Sequence, residues 1–195
     1  MVRYKIGLIL LTVALLAGVV LGGAWWASRS VATDAPQAQG DAFPQLRGTN
    51  LLLETVHIPD DLAGTYQLLV IAYDTEQQPL VNEWLAPLEA LNARYPQLGG
   101  YYVPLLPQET ADAALFIIGG MTAVASGDDD RARTVVTFTD VEAFNALVAV
   151  EGRDTVRLFL LDEHGTIHWQ GSGPYAPDTL AALEAALDEL AADEA

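Results

Sequence analysis

Cysteine is absent from all 195 residues. That absence removes disulfides, thiolate nucleophiles, thiol peroxidase chemistry, CxxC redox centres, cysteine zinc sites and a lipidation cysteine together. Lysine is nearly as scarce: none follows Lys5, and from residue 31 onward six Arg stand against 26 Asp and Glu, a net charge of −20. Such a field repels phosphate backbones, which are bound through Lys and Arg that displace counterions, so nucleic acid is excluded as a partner. The acidic balance otherwise serves solubility, with basic proteins or cations as the alternative partners.

Acid is missing from one place. Residues 1–30 hold Arg3, Lys5 and Arg29 and no Asp or Glu, and Ile6 to Ala27 is an uncharged, mostly apolar run. At 1.5 Å rise per residue a helix of that length crosses a hydrocarbon core of about 30 Å. Trp25 and Trp26 suit the interface at its far end, and the basic residues before it outnumber those after it. The positive-inside bias therefore puts residues 1–5 in the cytoplasm and the domain outside the membrane. The alternative is a cleaved signal peptide with Gly22-Gly23-Ala24 as processing site, but the apolar run is longer than the usual ~7–15 residues. Residues 28–45 are poor in apolar side chains and read as a flexible tether, followed by one domain over 46–192.

Within the domain, Leu51 to Ile58 predicts a strand, and Tyr66 to Tyr73 (YQLLVIAY) a central one. Pro79 to Tyr95 predicts a helix opened by Pro79 and kinked at Pro87. A strand over Tyr101 to Leu106 and a helix over Thr110 to Ala125 follow, the apolar Phe116 to Met121 reading as core, with a partner-binding apolar face as the alternative. Gly127 to Asp130 predicts a loop, and Thr134 to Thr139 a strand. Thr139 and Glu142 form a capping box for a helix through Val148. Val156 to Leu161 and Thr166 to Gln170 predict a hairpin turning at Asp162 to Gly165. Pro177 opens a last helix with a Leu180, Leu183, Leu187, Leu190 stripe. This order predicts an α/β fold: a mixed sheet flanked by helices.

The hairpin LFLLDEHGTIHW (158–169) with its following helix resembles the ending of the thioredoxin-like superfamily. Within it, QPLVNEWLAP (78–87) and DEHGTIHWQGSG (162–173) resemble motifs of the mitochondrial ATPase-complex assembly factors and their bacterial relatives. His168 stands where many such endings carry a basic residue. The resemblance implies a thioredoxin-like fold over about Tyr66 to Leu190 and a role in assembling the membrane sector of an ATP synthase. It also locates the dithiol of redox-active members within the stretch equivalent to Asp74–Asn82, here DTEQQPLVN, and a cis-proline near Thr155-Val156, where this chain has none.

No residue set compels a catalytic, cofactor or metal site. His164 and His168 fall across a turn rather than on one helix face; with Asp162 and Glu163 they form a weak metal candidate. Asp128-Asp129-Asp130 lacks EF-hand spacing. Gly171-Ser172-Gly173 lacks a third glycine and a following helix, and Ser172 lacks the G-x-S-x-G setting. The expectation is a non-catalytic, membrane-tethered thioredoxin-like binding or assembly factor, with a membrane protein such as an ATP-synthase subunit as partner. The alternative is an envelope enzyme with a metal-assisted, non-cysteine site.

Overall fold

A computed structural model describes residues 40–193. The expected spanning segment, residues 6–27, and most of the tether lie outside these residues. Among the described residues no helix is long and apolar enough to cross a membrane.

The elements are β1 (Leu46–Asn50), β2 (Thr55–Ile58), β3 (Tyr66–Ala72), α1 (Gln78–Arg94), β4 (Leu98–Pro107), α2 (Ala114–Val124), α3 (Asp128–Arg133), β5 (Val135–Thr139), α4 (Val141–Leu147), β6 (Arg157–Asp162), β7 (Ile167–Ser172) and α5 (Pro177–Asp193). They build a seven-stranded sheet in the order β2-β1-β5-β4-β3-β6-β7. β3, β4 and β5 are parallel, and β1, β2, β6 and β7 join antiparallel at the two sides. Every residue of β3 is buried, as its unbroken apolar run requires of a strand covered on both faces.

Strand alternation divides the core. Leu69 and Ile71 face one side with Val103, Leu105, Val135, Phe144 and Phe159. Leu68 and Val70 face the other, under Trp84 and Leu91 of α1 and Leu183 and Leu187 of α5. A smaller cluster, Leu51, Ile118 and Val136, lies beneath α2.

Several sequence expectations are corrected. Leu51–Ile58 is not one strand: Asn50 Oδ1 accepts from the amides of Leu52 (3.1 Å) and Glu54 (2.9 Å), folding the chain into the β1–β2 hairpin. Residues ahead of β1 pack on the sheet: Gly40 and Phe43 donate backbone hydrogen bonds to Ile167 and Gly165, and Phe43 is buried edge-on against Phe144 and Phe159. Asp128–Asp130 opens the short helix α3, where carboxylates at the first turn face Arg131 and Arg133 one turn later. The α4 cap is Asp140, whose side chain accepts from Ala143 N at 3.0 Å, one residue beyond the expected threonine. The expected helix α1 is present, with Pro87 inside it.

Candidate binding surfaces

In an open sheet, chemistry gathers at the carboxyl ends of the parallel strands. Here that rim begins at Tyr73, directly after β3. Asp74 stops the strand: its Oδ1 accepts from Glu76 N (2.8 Å) and Gln77 N (3.1 Å), starting the 3-10 turn Thr75–Gln77 that leads into α1. Gln77 is then turned inward and buried. Its Oε1 accepts from Tyr73 N at 2.9 Å, and its Nε2 donates to the Arg153 carbonyl at 2.8 Å. Across from it, the Tyr73 hydroxyl donates to Asn145 Oδ1 (2.9 Å), and Asn145 Nδ2 donates to the Gly152 carbonyl (3.0 Å). Two buried amides thereby fasten the loop ahead of β6 to the end of β3.

This network satisfies its own members. Burial pushes the Tyr73 phenol up to about 12, more strongly than the nearby Arg157 guanidinium lowers it. A neutral, hydrogen-bonded phenol is a poor nucleophile at neutral pH. Burial, with the Asp74 carboxylate, likewise raises Tyr102 to about 12, and its hydroxyl donates to Gln78 Oε1 at 3.3 Å. The stretch 74–82 therefore supplies caps and ties to the fold.

The segments 78–87 and 162–173 meet in space. Trp84 of α1 is fully buried, and its indole Nε1 donates to the Gly173 carbonyl at 3.1 Å. Asp162 Oδ1 accepts from the amides of His164 (2.9 Å) and Thr166 (2.8 Å), forming the β6–β7 turn. Gly165 takes a left-handed φ of +77°, and a Cβ there would lie 2.4 Å from Pro59 Cγ. The motifs describe how α1 is clamped to the hairpin.

The histidines do not converge. His168 Nε2 lies 3.0 Å from Asp162 Oδ2, while His164 Nε2 sits 3.7 Å from Glu163 and is exposed. Burial raises the Asp162 carboxyl, but hydrogen bonds from His168 and from the Thr166 and His164 amides outweigh it and hold the group below its ordinary value. No group of three or more His, Asp or Glu among the described residues is placed to hold a metal ion. The Asp128–Asp130 carboxylates are taken up locally: Asp128 and Asp129 pair with Arg131 and Arg133, and Asp130 accepts from Ser126 N. Ser172 ends β7, exposed.

The largest departure from expectation is α2. Within Phe116–Met121, Ile117, Ile118 and Met121 pack as expected, and Phe116 does not. Only Ile118 is buried, with Ile117 and Met121 partly packed beside it, while Phe116 is 85% exposed, Val124 84% and Leu115 78%. Gly119 and Gly120 have open space where a Cβ would stand, although each costs about 1 kcal/mol of helix propensity relative to Ala. Next to the helix, Leu53 forms the apolar tip of the β1–β2 hairpin at φ +67°, a conformation uncommon outside glycine. Leu51 binds that hairpin to α2: its carbonyl accepts from Thr122 Oγ1 at 3.4 Å and its side chain packs on Ile118. The sequence signals that this surface needed were Asn50, which turns the hairpin, and two glycines with no packing duty.

No protein-family model matches the chain, and no curated protein matches it. Solved structures do. An uncharacterized conserved protein from Geobacillus kaustophilus aligns at 15% identity over 77% of this chain and 80% of its own, with a TM-score of 0.50. BsSco, a member of the Sco family of cytochrome c oxidase assembly proteins, aligns at 11% identity over 77% and 95%, also at 0.50. The pneumococcal exposed lipoprotein thioredoxin Etrx1 from Streptococcus pneumoniae aligns at 9% identity over 74% and 99%, again at 0.50. At these identities the likeness establishes a fold and nothing finer. The described residues form a thioredoxin-like domain in a chain that contains no cysteine.

Proposed function

We propose that this chain is a non-catalytic, membrane-tethered thioredoxin-like factor that binds or helps assemble a membrane or exported protein complex. The observation that carries this reading is the junction of β3 and α1. There Asp74 and Gln77 spend their side chains on backbone groups, in a chain with no thiol to exchange. A domain that keeps the fold without its thiol chemistry retains surfaces as its working parts.

The assembly role draws on the fold, which is shared with BsSco, whose family is described as cytochrome c oxidase assembly proteins. The motifs at 78–87 and 162–173 sharpen the proposal to the membrane sector of an ATP synthase. With Ile6–Ala27 as a spanning anchor and the domain on the outer side, tethering raises the local concentration of the domain near membrane partners without tight binding.

Affinity capture of the full-length chain from gently solubilised, crosslinked membranes tests the reading, with a chain lacking Met1 to Ser30 as control. Enrichment of ATP-synthase membrane subunits is the expected result. Enrichment of a different assembly intermediate keeps the assembly role and removes the ATP-synthase assignment. No partner, under conditions that capture a known membrane complex, overturns the proposal.

A further inference from the structure

We infer that the outer face of α2, extended by the Leu52–Leu53 tip, is the docking surface for an apolar helix of a membrane-protein partner that carries Lys or Arg at its flanks. The inference rests on the membrane-tethered binding role proposed above, and names the chemistry of the partner.

From Ala114 to Val124 the helix carries no charged side chain. A helix apolar on all sides is ordinarily buried on all sides, yet here one face rests on Leu51 and Val136 and the rest meets solvent. The outward relief has a shape. Phe116, Gly120 and Val124 lie one turn apart along one row, and Leu115, Gly119 and Ala123 along the next. Bulky residues at the ends thus flank a low middle of Gly119, Gly120 and Ala123, where a second helix backbone can approach closely. Nothing within the domain asks for those glycines, since a Cβ at either would touch no neighbour within 4 Å.

Charge selects the occupant. In the chain, exposed Glu54 follows the hairpin tip, Glu109 and Asp112 precede α2, and Asp128 to Asp130 follow it, so acid borders the helix on each side in sequence. Only Asp128 and Asp129 are matched by nearby arginines. A second copy of the chain would bring acid against acid, on domains that repel each other at long range. A bilayer surface favours helices with Lys or Arg along their polar side, and anionic headgroups would meet the same carboxylates. An apolar helix with basic flanks fits both the relief and the acidic borders.

The test places a photoreactive phenylalanine analogue at position 116 or 120 of the full-length chain, or at exposed position 85 of α1 as control, in native membranes. Adducts from 116 and 120 but not 85 are expected, and peptide sequencing should map them to an apolar, Lys- or Arg-flanked helix of another membrane protein. Gly119→Leu with Gly120→Leu should fill the low middle and cut the adduct yield from position 116 at least tenfold, while the thermal midpoint holds or rises. Adducts to lipid, to a second copy or to an acid-flanked segment overturn the inference, as does an unchanged yield in the double variant. If affinity capture still finds a partner while α2 labels nothing, this inference alone fails. If capture finds none, the functional reading itself falls.

Discussion

The junction of β3 with α1 and the exposed face of α2 invert each other. At the junction, polar side chains are buried and every one named has a partner: Tyr73 with Asn145, Asn145 with Gly152, Gln77 with Tyr73 and Arg153. On α2, large apolar side chains stand exposed, with no cover among the described residues. Burying polar groups costs stability unless they are paired, and exposing apolar ones forgoes stability that burial would supply. The first region has therefore been committed to holding the fold. The second leaves stabilisation unused in the isolated domain, and that is what a contact surface requires.

Substitutions should separate the two regions by size and by sign. Gln77→Ala leaves the Tyr73 amide and the Arg153 carbonyl unmet, and Asn145→Ala does the same to the Tyr73 hydroxyl and the Gly152 carbonyl. Each should cost about 2–4 kcal/mol in chemical denaturation; a loss under about 0.5 kcal/mol would show that the junction is not a structural lock. Acid should act on a different part of the domain from α2. The Asp162 carboxyl sits below its ordinary value of 3.8 when folded, so its ionised form favours the fold. That contribution is present above the ordinary value and is lost as pH falls through the folded one. Asp162→Asn should flatten the acid limb of stability against pH, whereas Phe116→Gln should leave its shape alone.

On α2 the sign reverses. Gly119→Ala and Gly120→Ala should each stabilise the domain by up to about 1 kcal/mol, because a methyl group there meets open space and restricts the unfolded chain. Destabilisation would mean that the glycines serve the fold after all. Phe116→Gln should have the smallest effect, within about 0.5 kcal/mol in thermal melts, since the ring is almost wholly exposed. The same change should weaken partner capture, and full retention of capture would erase the distinction between the two regions.

The sequence made the framework legible where one signal dominated. The YQLLVIAY run and the Leu183–Leu187–Leu190 stripe became the buried β3 and the packed face of α5. The turn Asp162 to Gly165 appeared where its chemistry required. Failures came where two signals competed. Apolar content at Leu51–Ile58 masked the turn that Asn50 imposes by accepting two amides, and three aspartates suggested a loop although they sit at a helix start opposite two arginines. Phe116–Met121 divides: Ile117, Ile118 and Met121 pack as read, but composition counts apolar residues and cannot tell that Phe116 will be left uncovered. Of the binding surfaces, the lack of thiol at 74–82 was plain. The inward turn of Gln77 was not, since it depends on a contact with Arg153, 76 residues away.

The free margins of the sheet narrow the means by which any partner can attach. β2 is four residues long and runs directly into Pro59, Asp60 and Asp61, which discourage a further strand from joining. On the opposite margin, backbone bonds from Gly40 to Ile167 and from Ile167 to Asp41 already occupy the start of β7. An incoming strand therefore meets a short β2 on one margin and a β7 whose first residue is already bonded on the other. Where the margins are short or already bonded, recognition passes from main chain to side chains, whose identity evolution can revise one residue at a time.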